Sequence, residues 1–127
     1  MEKALNTYST AALAYLGDYI IEVCVRERLV KMGLSSSARL NNTAINYVSA
    51  TSQSKAVQNI LPLLSEEELS VFKRGRNMSH ANTPKAASIT EYKAATGMEA
   101  LFGYLHLAKR KDRIDELFEL AYPLEQQ

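Results

Sequence analysis

With 127 residues and 46% hydrophobic content, the chain has material for one continuous core and little room for a second, so residues 1–127 read as a single domain. A formal net charge of +1 shows no overall basicity that would announce a nucleic-acid ligand, so only local clusters of charge can carry that reading. The single cysteine, Cys24, excludes an internal disulfide, and no apolar stretch suits a secretory signal or a membrane span; a cytoplasmic protein with no membrane partner is expected.

Helical periodicity dominates. From Thr10 to Lys31, Leu13, Leu16, Ile20, Val23 and Leu29 recur mostly at steps of three or four, while Tyr15, Ile21 and Val25 fill another side. A helix apolar over so much of its circumference is predicted to be central, with Gly33 as its stop. Ser35, Ser36 and Ser37 offer a cap for a second helix carrying Leu40, Ala44, Ile45 and Val48. Ser49 or Ser52 opens a third, closing near Pro62. Ser65-Glu66-Glu67-Glu68 carries a capping serine, acid in the first turn and Glu68 at the capping-box position, which predicts a fourth helix running towards Arg74. Periodicity then lapses from Gly75 to Ile89, a polar stretch long enough in so short a chain to suggest function. Thr90-Glu91 begins a long apolar helix reaching Leu107 or Ala108, and Asp112 to Leu120 forms a short amphipathic one. No strand pattern or repeat is apparent, so the expected fold class is all-α.

Two carboxylates interrupt the apolar helices. Asp18 lies in Leu13-Ala14-Tyr15-Leu16-Gly17-Asp18-Tyr19-Ile20-Ile21, and Glu99 in Gly97-Met98-Glu99-Ala100-Leu101-Phe102-Gly103. An ionised carboxylate in apolar surroundings is strongly disfavoured unless a cation, a metal or hydrogen-bond donors meet it. If the two helices pack together, the carboxylates converge, and a hard divalent cation that keeps several waters would relieve their repulsion. That device orients water and stabilises charge in phosphoryl chemistry. The alternative is internal satisfaction by a core arginine or a tyrosine hydroxyl, and periodicity leaves both readings open. Gly17 and Gly103 suit close helix approach on either reading. Glu22 shares a face with Asp18, and Thr96 lies one turn before Glu99.

A second feature is basic. Lys73, Arg74 and Arg76 end a helix that runs into Asn77, His80 and Lys85, a set suited to phosphate oxygens. Cations at a helix C-terminus are also favoured simply by the dipole. His80 reads as a loop-bracing residue, His106 as structural, and Lys109-Arg110-Lys111 with Arg113 as solvated surface. No nucleophile setting, phosphate-binding glycine loop or zinc spacing is present.

Leu13-Ala14-Tyr15-Leu16-Gly17-Asp18 resembles the signature helix of the ribonuclease III catalytic domain, and Met98-Glu99-Ala100-Leu101-Phe102-Gly103 resembles its second metal-binding helix. With Val48-Ser49-Ala50-Thr51-Ser52-Gln53 and Lys73-Arg74-Gly75-Arg76-Asn77, nearly the whole chain is similar to Mini-ribonuclease III, the short bacterial form of that family without a double-stranded RNA-binding domain. The resemblance implies an all-helical endonuclease domain working as a homodimer on double-stranded RNA. It implies Mg2+, with Mn2+ as a substitute, and products ending in 5′-phosphate and 3′-hydroxyl.

Carried over by position, Asp18 and Glu99 are the catalytic and metal-binding residues. Full-length members have further acids where this chain has Ala14 and Thr96, so half the usual cluster is absent. Glu22 and Thr96 are candidates for outer-shell contacts. Lys73, Arg74, Arg76, Asn77 and Lys85 are candidates for RNA contact, and Tyr15 matches an aromatic position at the dimer interface. The short form's role points to precursor 23S ribosomal RNA. A catalytically silent relative that binds RNA or a ribosomal particle is the alternative, and a helical protein-interaction domain is a third reading.

Overall fold

Serine residues set where the helices begin. The computed structural model describes residues 7–78 and 88–124, and every regular element among these is helical. The elements are α1 (Thr10–Lys31), α2 (Ser37–Val48), α3 (Ala50–Ile60), a 3-10 turn (Leu61–Leu63), α4 (Glu66–Arg76), α5 (Ile89–Leu107) and α6 (Lys111–Ala121). Ser9, Ser36, Ser49, Ser65 and Ser88 cap the first five helices, each hydroxyl accepting a backbone N–H three residues on. At Ser65 and Ser88 the reciprocal bonds from Glu68 and Glu91 complete capping boxes. Gly33, at φ 94°, provides the left-handed turn that stops α1. Helix α3 gives way at Ile60 to the 3-10 turn containing Pro62.

Helix α5 is the hub because almost every side of it is apolar. Ala94 to Met98 and Ala100 to Leu105 are buried, and α1, α3 and α4 pack around it. Leu13, Ile21, Val25, Leu29, Val57, Ile60, Phe72, Phe102 and Leu117 fill the core between them. Two glycine contacts determine how closely these helices approach. A Cβ on Gly17 would lie 1.6 Å from the Glu99 carbonyl oxygen, and one on Gly103 would strike the Leu13 carbonyl, so the α1 and α5 backbones touch. On the other side of α5, Gly75 of α4 packs on Gly97. Small residues at both crossings thus replace side-chain layers with direct backbone contact.

The periphery holds features that the sequence pattern does not show. Helix α2 has no fully buried residue: Leu40, Ala44 and Val48 pack against the core only in part, and Ile45 is exposed. Tyr15 parts company with Ile21 and Val25: they are buried, whereas it is 86% exposed. Arg113, read as solvated surface, instead staples three elements. Its guanidinium donates to both Glu68 carboxylate oxygens at 2.8 and 2.9 Å, to the Leu63 carbonyl and to Glu116. His106, by contrast, is an exposed residue in the last turn of α5.

Arg28 is buried among the rings of Tyr47 and Phe118, donating to the Tyr122 carbonyl and to Glu119. It thereby anchors the end of α6 on α1. No helix among the described residues is long and apolar enough to cross a membrane.

Candidate active site

The backbone contact between Gly17 and Glu99 is what assembles the site. Asp18 follows Gly17 on α1, so its carboxylate emerges beside that of Glu99, within hydrogen-bonding reach whenever one proton is shared between them. The two differ in surroundings. Asp18 is exposed, contrary to its apolar sequence context, because the helical turn of α1 puts Leu13, Gly17, Ile20 and Ile21 on the core side and Asp18 with Tyr15 and Tyr19 on the open side. Glu99 is half-buried, and its carboxyl is pushed up to about 8, first by burial and then by the negative charge and hydrogen bonding of Asp18. No lysine, arginine or histidine among the described residues forms an ion pair with either carboxylate. A core arginine is therefore not the partner of either carboxylate among the described residues. What remains is a paired acidic site, open to solvent through Asp18, that favours uptake of positive charge.

The donor set suits a hydrated hard cation. Two carboxylates supply oxygen ligands, and no group of three or more His, Cys, Asp or Glu side chains gathers among the described residues. A site of that kind matches magnesium, which binds through one or two carboxylates and keeps several waters, better than an all-protein calcium or zinc cage.

The other candidates are placed as follows. Glu22 is one turn beyond Asp18, but it accepts from Arg26 at 3.1 Å and lines the groove between α1 and α2. Thr96 is buried on α5, and its hydroxyl donates to the Tyr92 carbonyl at 3.0 Å, which leaves its oxygen free only to accept.

Lys73, Arg74 and Asn77 line a shallow groove of about 610 Å³ on α4 together with Glu66, Leu69 and Ser70. Arg76 bonds Asn77 and lies over the Phe72 ring, while Arg74 reaches the Tyr8 carbonyl at the entry to α1. That last contact places the basic end of α4 beside the start of the helix that carries Asp18. Lys85 and His80 lie outside the described residues.

Tyr15 stands on the open face of α1, with Tyr19 one turn further along it at 64% exposure. Tyr19 was not singled out from sequence, although its spacing of four from Tyr15 was the available signal. The groove of about 650 Å³ between α1 and α6 includes neither carboxylate. Its charges are matched within it: Lys31 with Glu27, Lys111 with Asp115, and Arg28 with Glu119. Cys24, in the same groove, has its thiol pushed up to about 11 chiefly by burial, so it is not a nucleophile at neutral pH.

The model of the ribonuclease III domain matches residues 11–110, a span that contains both carboxylates and the basic end of α4. This chain belongs to the ribonuclease III family. It is 43% identical to a Mini-ribonuclease 3 of Symbiobacterium thermophilum over 115 residues, covering 91% of this chain and 88% of that one. It is 44% identical to a Mini-ribonuclease 3 of Enterococcus faecalis over 108 residues, covering 84% and 82% respectively. A crystal structure of a Fusobacterium nucleatum protein superposes with a TM-score of 0.82 at 32% identity, covering 89% of this chain and 90% of that one. The helical fold of this chain is thus shared with that solved structure. Asp18 and Glu99 both lie within the matched span.

Proposed function

We propose that this ribonuclease III-family endoribonuclease is a magnesium-dependent enzyme that hydrolyses phosphodiester bonds in double-stranded regions of precursor RNA. The observation that carries the proposal is the Asp18–Glu99 pair, held together by backbone contact and without an ion-pair partner among the described residues. The bound cation would supply charge to the phosphate oxygens and lower the pKa of a water. Asp18, exposed on α1, presents one ligand towards the substrate side. Glu99 would present the second from the protein interior, and its raised proton affinity keeps it largely protonated near neutral pH while no cation is bound. Lys73, Arg74, Arg76, Asn77 and Lys85 orient the duplex through its phosphates. Recognition rests on shape, phosphates and 2′-hydroxyls, because the A-form major groove is too deep and narrow for side chains to read.

The working unit is a homodimer. The open α1 face, with Tyr15 and Tyr19, gives a partner an aromatic surface directly beside Asp18, so that two centres share one groove and both strands are cut. Products carry 5′-phosphate and 3′-hydroxyl ends, and the substrate is cytoplasmic 23S ribosomal RNA precursor. Manganese substitutes for magnesium.

The test is incubation of long double-stranded RNA and of a 23S precursor duplex with the protein, with and without Mg2+, followed by end analysis. Metal-dependent cuts with 5′-phosphate ends support the proposal. Binding without cutting under Mg2+ or Mn2+ replaces it with the catalytically silent reading, for which the Ala14 and Thr96 positions supply the motive.

A further inference from the structure

One acid on the basic surface of α4 is out of place if that surface only tracks phosphate. Three glutamates open this helix. Glu67 accepts from the Tyr104 hydroxyl, and Glu68 accepts from Arg113 and the Ser65 backbone. Glu66 takes part in no ion pair among the described residues, and it lines the same groove as Lys73, Arg74 and Asn77. The helix dipole favours an acid in the first turn, but Glu67 and Glu68 already meet that preference. A carboxylate repels phosphate, so its place in the groove calls for a hydrogen-bond donor on the ligand.

Register along the helix separates two kinds of contact. Glu66, Ser70, Lys73 and Asn77 are exposed and follow one another at steps of four, three and four, so they share one stripe. With a rise of about 1.5 Å per residue, Ser70 lies about 6 Å beyond Glu66, and Lys73 about 4.5 Å beyond Ser70. The stripe therefore runs from an acceptor, through a neutral hydroxyl, to the cations Lys73 and Arg74. Double-stranded RNA offers a matching series. Phosphates edge its minor groove, which is wide, shallow and lined with 2′-hydroxyls, each both donor and acceptor. Cations suit the edge, while a carboxylate and a serine hydroxyl suit the sugars. A DNA duplex has no such donor for Glu66.

We propose that Glu66 and Ser70 are specificity-determining residues that read ribose. Glu66 accepts a hydrogen bond from one 2′-hydroxyl and Ser70 exchanges one with a neighbouring 2′-hydroxyl, while Lys73 and Arg74 hold the flanking phosphates. Glu66 also acts against duplexes without 2′-hydroxyls, because its charge then faces phosphate with no donor to meet it. The inference rests on the proposed action on double-stranded RNA and adds to it a means of rejecting other duplexes.

The test measures binding of two duplexes of one sequence, the first all-ribose and the second with 2′-fluoro sugars, which keep the A-form but lack the hydroxyl donor. Fluorescence anisotropy without divalent metal reads affinity for wild type, Glu66→Ala and Ser70→Ala. Both positions are exposed, so the variants should fold as wild type does. The ratio of the two affinities is the readout, because general charge effects act on both duplexes alike. Wild type is expected to favour the all-ribose duplex. Glu66→Ala is expected to lower that preference by about 10-fold, and Ser70→Ala by about threefold. Ratios within about twofold of wild type in both variants overturn the inference, even where Glu66→Ala binds both duplexes more tightly. A ratio lowered in one variant alone overturns the role of the other residue. A wild type that binds the two duplexes equally overturns the inference and leaves metal-dependent cleavage, measured separately, intact. If wild type neither binds nor cuts duplex RNA, the proposed function is overturned and this inference with it.

Discussion

Gly17 rests directly on the backbone carbonyl of Glu99, with no room between them for a methyl group. This contact between α1 and α5 does two jobs with one residue. It closes the core at a crossing where the α1 and α5 backbones touch, and it fixes the carboxylate of the next residue, Asp18, beside that of Glu99. Stability and the acidic site are thereby tied to the same distance.

Gly17→Ala should separate the two helices. Overpacking of this kind costs about 1–3 kcal/mol, and here the obstacle is backbone rather than a movable side chain. The expected result is a lowered thermal midpoint together with lost Mg2+ binding by calorimetry. Gly33→Ala is the contrasting control. Its Cβ would meet open space at a strained φ of 94°, so roughly 1 kcal/mol of stability is lost while Mg2+ binding is kept.

Glu99 should make the metal-free protein less stable as pH rises. Its folded value of about 8 exceeds the ordinary 4.5, so the folded state holds a proton that the unfolded chain releases. The associated stability is fully present below 4.5 and is lost as pH climbs through about 8. Glu99→Gln, which cannot ionise, is expected to flatten that decline in thermal scans. Magnesium binding to wild type should release close to one proton near pH 7 and almost none at pH 9, as calorimetry in buffers of differing ionisation enthalpy would show. Asp18→Asn should bring the Glu99 value down only part-way, because burial is the larger cause.

Arg113 and Glu68 make a pair whose loss should affect stability alone. Glu68 is buried and its carboxyl is held below the usual range, first by the Arg113 hydrogen bonds and further by the Ser65 backbone. Its stabilising contribution is present above its ordinary 4.5 and disappears as pH falls through the lowered folded value. Arg113→Met leaves the buried acid unpaired and should destabilise by about 3 kcal/mol in urea titrations. Cleavage per folded molecule is expected to stay within twofold of wild type.

The α4 surface should reveal itself through salt. Each phosphate contact contributes roughly one unit to the slope of log affinity against log salt concentration. Lys73→Ala combined with Arg74→Ala should therefore reduce that slope by about 1–2 units in duplex RNA binding. Magnesium binding should not change, since neither side chain touches the carboxylates. An unaltered slope would remove these residues from the RNA surface.

Legibility of the fold followed the range of the interactions involved. Helix starts were readable because caps are local: Ser65 with Glu68 is a four-residue signal, and the structure shows both reciprocal bonds. The long apolar helices carrying Asp18 and Glu99 were readable from periodicity, and Gly17 and Gly103 hinted at their contact. Periodicity could not tell which side of α1 faces solvent, since Tyr15 is as apolar in pattern as the buried Ile21. Arg113 looked like part of a surface charge run because its partners, Glu68 and Leu63, lie 45 and 50 residues away. Gln53, which is buried on α3, gave no sequence signal of burial at all. Amide side chains occur so commonly on surfaces that only three-dimensional packing singles this one out.

The most direct test of the central claim is cleavage of long duplex RNA by wild type, Asp18→Asn and Glu99→Gln, each verified as folded, across a magnesium titration. Wild type should cut only when magnesium is present, and both variants should lose at least about 100-fold in rate, because one of two ligands of a charge-stabilising centre is gone. Robust cutting by either folded variant, or by wild type after complete removal of divalent metal, would contradict the assignment of Asp18 and Glu99 as the metal-binding pair.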